Sequence, residues 1–328
     1  GAPGQVHLGA LDPRPFYGRG QTTSAGPSHP NRRRKVGCVH DIRWIDLDGV
    51  VNMRDVGGMP TVDGSVIAEG RLIRSDNLQD LSEASIRRLV DEFGVTDVVD
   101  LRTHVEVAQE GAGPLVGHPR VRISHFTLYA DDSPESGIPA SERELPWETQ
   151  ARREAAQRAS AARAADAQRA RSTSDRRPHI VPGGVDHDDF WSGHYLSYLG
   201  QRPDSVVASL RTIARAEGAV VVHCAAGKDR TGTITGLALV AAGAAPEAVI
   251  HDYAASAERV PQILERLLRR PAYAANLQGK TVAEQSPRPE TMARLLAALD
   301  RDFGGVLGWL ETQGWGGQDT EALRAKLR

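Results

Sequence analysis

The 328-residue chain carries a formal charge of −2, with 40% hydrophobic and 25% charged residues. That is enough apolar material for one large core, and the charge is too balanced for bulk attraction to nucleic acid. The two cysteines, Cys38 and Cys224, exclude a disulfide framework, and no apolar run approaches the roughly 20 residues that span a bilayer.

In chain order, residues 1–40 are rich in Gly, Pro, Ser and Thr around a basic run, Arg32-Arg33-Arg34-Lys35. This reads as a disordered, solvated tail. It lacks the apolar core of a signal peptide, and a reactive thiol favours a reducing compartment, so the expected location is the cytoplasm. From residue 41 strands and helices alternate. Residues 82–93 show helical periodicity behind a Ser82 cap, 95–101 form an apolar strand, and 121–128 form another. Residues 131–185 read as an insertion whose Ala- and Arg-rich centre, 148–171, favours helix but carries few large apolar groups. Helices are expected over 188–199 and 204–217, then a buried strand at 219–222 and an apolar helix over 231–240. Further helices follow at 246–257, 260–269, 287–299, 306–312 and 320–327. This alternation predicts an α/β fold with a mainly parallel central sheet flanked by helices.

The chemistry concentrates between the 219–222 strand and the helix after it. Cys224 and Arg230 stand six positions apart on a short loop containing Gly227. A strand, a tight loop and a helix N-terminus make an anion cradle, because free N–H groups and the positive helix end converge. The same field favours a thiolate at Cys224. Cys224 is then a candidate nucleophile toward a phosphate ester, and Arg230 a planar fork for two phosphate oxygens. The amides of Ala225, Ala226, Gly227, Lys228, Asp229 and Arg230 would hold the rest of the phosphoryl group. Thr231 could bond the thiolate through its hydroxyl. No metal or other cofactor is needed for this chemistry, and none is expected. Three other readings of the loop compete with this one. A free cysteine is commonly a small core residue, but the arginine offset argues against that here. A nucleotide P-loop requires a first glycine and a Ser/Thr where Val222 and Asp229 stand. Sulfur transfer or arsenate reduction on a similar loop does not account for Lys228 and Asp229 as directly.

The run His223-Cys224-Ala225-Ala226-Gly227-Lys228-Asp229-Arg230-Thr231-Gly232 resembles the signature loop of the cysteine-dependent protein-tyrosine phosphatase superfamily. Its Lys-Asp pair is similar to that of a bacterial tyrosine/serine, phosphoinositide-active group typified by a mycobacterial enzyme. Asn52-Met53-Arg54-Asp55-Val56-Gly57-Gly58, Gly70-Arg71-Leu72-Ile73-Arg74-Ser75-Asp76 and Asp100-Leu101-Arg102-Thr103 extend the resemblance, with Met53 where an aromatic is usual. So do His251-Asp252-Tyr253-Ala254-Ala255-Ser256, read as packing, and the tail from Glu290-Thr291-Met292 onward. The resemblance implies a cysteine-phosphatase fold over 41–328 with a helical lid at about 131–185. It also implies a phosphorylated protein as the partner, and it makes Asp229 the general acid.

From the residues themselves the acid stays open. Asp100, at a strand end facing the site, and Asp131 or Asp132 are the other candidates, and Asp229 could instead cap the following helix. The reversed Pro146-Trp147-Glu148 is no acid loop. His223 is expected to shape the loop rather than act as base, since adjacent strand residues face opposite ways. Lys228 stands out because all but four of the 40 basic residues are arginine. It could meet a second phosphate, or be a solvated loop cation. The expected activity is protein-tyrosine, dual-specificity or phosphoinositide phosphatase. A small-molecule phosphatase acting on a sugar, inositol or nucleoside phosphate, and a phosphate-binding module without turnover, are the alternatives.

Overall fold

A computed structural model describes residues 40–111, 113–129 and 187–328. The tail at 1–39 and the insertion with its lid, including Asp131, Asp132, Pro146-Trp147-Glu148 and the arginines of 148–171, lie outside the described residues.

Six strands form one sheet: β1 (Arg43–Trp44), β2 (Arg54–Asp55), β3 (Leu72–Ser75), β4 (Val95–Asp100), β5 (Arg122–His125) and β6 (Ala219–His223). Their order is β1-β2-β3-β6-β4-β5. β1, β2 and β3 pair antiparallel. β3–β6, β6–β4 and β4–β5 are parallel. The expected mainly parallel α/β sheet is therefore present.

β6 inserts between β3 and β4, and this position builds the site. Ser75, His223 and Asp100 stand in register at the carboxyl edge. The loops that leave the three strands therefore start side by side, the place where open α/β sheets bind ligands. The apolar run Ala219-Val220-Val221-Val222 can be buried on both faces because helices cover both sides. Val220 and Val222 enter one core with Val99. Ala219 and Val221 enter the other with Ile73 and Val98.

The helices follow the periodic segments closely. α1 (Glu83–Arg87) starts at Ser82, whose side chain accepts from Ser85 N, and runs on as a π-turn over Arg88–Glu92. α2 (His104–Glu110) opens on a capping box of Thr103 and Glu106. Then come α3 (His187–Gln201), α4 (Pro203–Arg215) and α5 (Asp229–Ala242). α5 is apolar nearly all round and runs through the core with its N-terminus at the phosphate loop. α6 (Pro246–Ala255), α7 (Val260–Leu268), α8 (Pro271–Leu277), α9 (Val282–Gln285), α10 (Pro289–Phe303), α11 (Val306–Thr312) and α12 (Gly317–Leu327) complete the described chain. The short helices α2, α8 and α9, of seven, seven and four residues, are additional to the expected segments; two turns or fewer show no full apolar period.

Candidate active site

Cys224 follows β6 directly and is buried, 2% exposed, and it lines a cavity of about 320 Å3. Ala225, Ala226, Lys228, Asp229 and Arg230 line the same cavity. The loop is held from behind by its carbonyls. Asn77 N donates to Ala225 O at 3.0 Å. Asn52 Nδ2 donates to Ala226 O at 2.9 Å and to Gly227 O at 3.2 Å. Arg74 donates to Gly227 O at 2.9 Å and to Lys228 O at 3.3 Å. With the carbonyls taken on that side, the amides of the loop and of the first turn of α5 have no intrahelical acceptor and are available to an anion. Gly227 sits at φ +66° against β3, and a Cβ there would come within 2.4 Å of the Ser75 and Asp76 backbone. Only glycine fits that approach.

The donors behind the loop share one anchor. Asp252 on α6 accepts from Arg54 Nε at 2.7 Å and from Arg74 Nη1 at 2.7 Å, all three side chains being buried. Arg54 also reaches Asn52 Oδ1 at 2.8 Å and Ser256 Oγ at 3.0 Å. Burial opposes the charge of Asp252, but the two guanidiniums outweigh it and hold the carboxyl at about 2. Burial and the charge of Arg74 pull Arg54 down to about 10, still charged at neutral pH. The segment read as packing, His251 to Ser256, thus supplies the polar centre of the loop's backing.

Arg230 is preorganised by a residue that sequence reasoning missed. Its guanidinium is paired with Glu106, Nη1 to Oε2 at 2.5 Å and Nη2 to Oε1 at 2.9 Å, and it lies 5.5 Å from the Tyr129 ring centroid. Glu106 is buried; desolvation alone would raise its carboxyl, yet Arg230 and the Thr103 amide hold it below the usual range. The Thr-x-x-Glu pattern of 103–106 is visible in the sequence as a helix start. Nothing local shows that the same carboxylate reaches 124 residues along the chain to Arg230.

The proton-donor candidates separate. Asp100 accepts from Arg102 N and Nε at 3.0 Å and from Nη2 at 2.7 Å. It is buried and does not line the cavity. Burial opposes its charge, but His223 and Arg102 hold its carboxyl well below the usual range. Burial also pushes His223 toward its neutral form. The Arg102 guanidinium is therefore the partner that keeps Asp100 ionised, a poor state for a donor. Asp229 is the first residue of α5, and Lys228 occupies the cap position, so Asp229 does not cap the helix. Its carboxylate lines the cavity and accepts from Tyr195 Oη at 2.5 Å.

Three further expectations meet the geometry. His223 Nδ1 lies 3.3 Å from Cys224 O, bonding the loop's own backbone. Lys228 is not a solvated cation: it is 5% exposed, donates to Gln285 O at 2.5 Å and faces the Trp191 ring at 5.5 Å. Thr231 Oγ1 is buried and has no hydrogen-bond partner among the described residues, Cys224 included. The rest of the cavity lining is mostly aromatic and aliphatic, with Phe190, Trp191 and Tyr198 from α3, Ile263, Leu264 and Leu267 from α7, and Tyr273 and Leu277 from α8, and it includes the polar side chains of His194, Asn276 and Gln285. No group of three or more metal-ligating side chains occurs among the described residues.

A cysteine after a buried strand, with an arginine and an aspartate from the following helix N-terminus lining the same cavity, suits the hydrolysis of phosphate monoesters. The chain belongs to the tyrosine phosphatase family, whose model matches residues 45–328. It is 26% identical to the triple specificity protein phosphatase PtpB of Mycobacterium tuberculosis, over 86% of this chain and 98% of that one. It is also similar to a tyrosine-protein phosphatase of Nostoc commune, 34% identical over 40% of this chain and 47% of that one. A putative tyrosine-protein phosphatase of Cupriavidus necator is 26% identical over 83% of each chain. No described helix is long and apolar enough to cross a membrane.

Proposed function

We propose that the chain dephosphorylates phosphotyrosyl proteins through a phospho-cysteine intermediate. The Cys224 thiolate attacks phosphorus, forming the S–P bond as the ester P–O bond breaks. Asp229 gives its proton to the leaving phenolate oxygen. Water then attacks the phospho-cysteine, its proton returns to the Asp229 carboxylate, and inorganic phosphate leaves with the thiolate restored. The phosphoryl group carries most of the transition-state charge, so positioned amides and the Arg230 fork supply the stabilisation. Glu106 holds that planar fork aimed before substrate arrives, and no reorganisation is needed at the moment of transfer.

The observation that carries this reading is that Cys224, Arg230 and Asp229 line the same cavity. Substrate class follows from the rest of the lining. It is mostly aromatic and aliphatic, with His194, Asn276 and Gln285 as its further polar side chains beside Lys228. Such a lining offers a phenyl ring more contact than it offers a sugar, whose many hydroxyls would compete for few partners. The PtpB relative is named for triple specificity, and phosphoserine, phosphothreonine and phosphoinositide esters are the secondary substrates we propose.

The test compares the parent with Cys224→Ser on an aryl phosphate and on a phosphotyrosyl peptide. We expect turnover to fall by at least three orders of magnitude in the variant with the folded state intact. Rapid acid quench of the parent with labelled substrate should trap phosphate on Cys224. Retained turnover in Cys224→Ser would overturn the mechanism. A parent that binds the peptide but never turns it over would make the chain a binding module.

A further inference from the structure

Tyr195, Tyr253 and Thr291 come from three helices, α3, α6 and α10, and none belongs to the phosphate loop. All three are buried at 1% exposure or less. Tyr195 Oη lies 2.5 Å from Asp229 Oδ1 and 2.7 Å from Tyr253 Oη. Tyr253 is in turn hydrogen-bonded by the Thr291 side chain.

The first bond sets the direction of this chain: Tyr195 Oη donates its one proton to Asp229 Oδ1. The Tyr195 oxygen is then an acceptor, and Tyr253 must donate to it. The Tyr253 oxygen in turn accepts from Thr291. Three O–H groups therefore point the same way and converge on one carboxylate oxygen, each polarising the next. Burial pushes both phenols far toward their neutral, proton-bearing form, so the donors persist through the working pH range.

We propose that Tyr195 is a positioning residue for the proton-transfer step: at the head of the chain Thr291–Tyr253–Tyr195 it occupies Asp229 Oδ1 and forces the transferable proton onto Oδ2. This rests on Asp229 being the general acid, as proposed above. A free carboxyl can rotate and carry its proton on either oxygen. One whose Oδ1 already accepts a buried O–H cannot, and its remaining oxygen keeps a fixed direction. The arrangement also serves the second half of the reaction, in which Asp229 must be a carboxylate: the Tyr195 donor stabilises that form. The other groups facing Asp229 are Lys228 Nζ, 3.6 Å from Oδ2, with Tyr198 and His194 on α3 and Glu284 on α9 nearby.

The experiment uses the full chain and follows kcat/KM, which reports the step that expels the leaving group. Two substrates are compared: 4-nitrophenyl phosphate, whose leaving group needs little protonation, and phenyl phosphate, whose leaving group needs more. For Tyr195→Phe we expect about a tenfold loss on phenyl phosphate and less than a threefold loss on 4-nitrophenyl phosphate, a part of the hundredfold or more that a general acid contributes. Tyr253→Phe removes the donor behind Tyr195 and should show the same leaving-group bias to a smaller degree, so the proposal stays testable if Tyr195→Phe folds poorly. Equal losses on both substrates would mean that Tyr195 only packs, and would overturn the proposal. Asp229→Asn separates the two levels. If it fails to discriminate between the substrates, the acid assignment falls and Tyr195 falls with it. If it discriminates and neither Tyr variant does, only the Tyr195 proposal is lost.

Discussion

The phosphate loop has two sides built on opposite principles. Behind it, charged groups are buried and tied together: Asp252 pairs with Arg54 and Arg74, Arg54 also holds Asn52, and Asn52 and Arg74 reach the loop carbonyls, with Arg74 Nε alone of these left without a partner among the described residues. In front, the lining is mostly aromatic and aliphatic, with a few polar side chains among it. A buried ion cluster tolerates no change of angle without losing solvation it cannot recover. An apolar wall tolerates many shapes at small cost. The back therefore fixes the chemistry, and the front is free to select substrates.

The comparison breaks most directly at Asp252. Asp252→Asn leaves Arg54 and Arg74 charged, buried and underpaired, and should cost about 3–5 kcal/mol of stability. Denaturant unfolding would measure it. A loss under 1 kcal/mol would mean that the guanidiniums find water and that the backing is not rigid. Arg230→Lys tests the loop itself. Lysine keeps the charge but loses the planar fork and the two-point contact with Glu106, so kcat/KM should fall about 10²- to 10³-fold with stability less affected. Glu106→Gln should lower the rate in the same direction by less, since it leaves Arg230 in place but unaimed.

Acid stability sharpens the same contrast. Asp252 is held at about 2, below its unfolded value of 3.8. It is ionised in both states at neutral pH, so its share of stability is complete there. As pH falls below about 4 the unfolded chain takes up the proton first, and stability declines until about pH 2. The shift corresponds to something on the order of 2 kcal/mol. Asp100 and Glu106, also depressed, add losses of the same sign. The acid limb of unfolding free energy against pH should be visibly shallower in Asp252→Asn than in the parent.

How much of this was legible in the sequence depends on distance along the chain. Cys224, Gly227 and Arg230 fall within seven residues between an apolar strand and an apolar helix, and their geometry is set by that local order. Elements with strong periodicity or a clear cap, such as Ser82 before α1, were equally readable. The backing was not, because Arg54, Arg74 and Asp252 are separated by up to 198 residues and meet only through the sheet order. Asp100 shows the opposite failure. A carboxylate at a strand end facing the site is the right type in the right place, and two residues later Arg102 turns back and claims it. Tyr195 carried no signal at all, since a tyrosine in a helix is ordinary until its partner is known.

The smallest effect belongs to the front wall. Trp191 faces Lys228 across 5.5 Å and stands beside the cavity mouth with Phe190. Its ring has no part in bond making, so its contacts exist equally in the bound ground state and the transition state. Trp191→Ala should then raise KM a few-fold to tenfold for a phosphotyrosyl peptide and leave kcat nearly unchanged, which is what loss of uniform binding produces. Steady-state kinetics on peptide and on small aryl phosphate would give the split. A comparable fall in kcat would show that the wall reaches the chemistry, most directly by releasing Lys228 toward Asp229, and the separation between a selecting front and a fixed back would not hold at this residue.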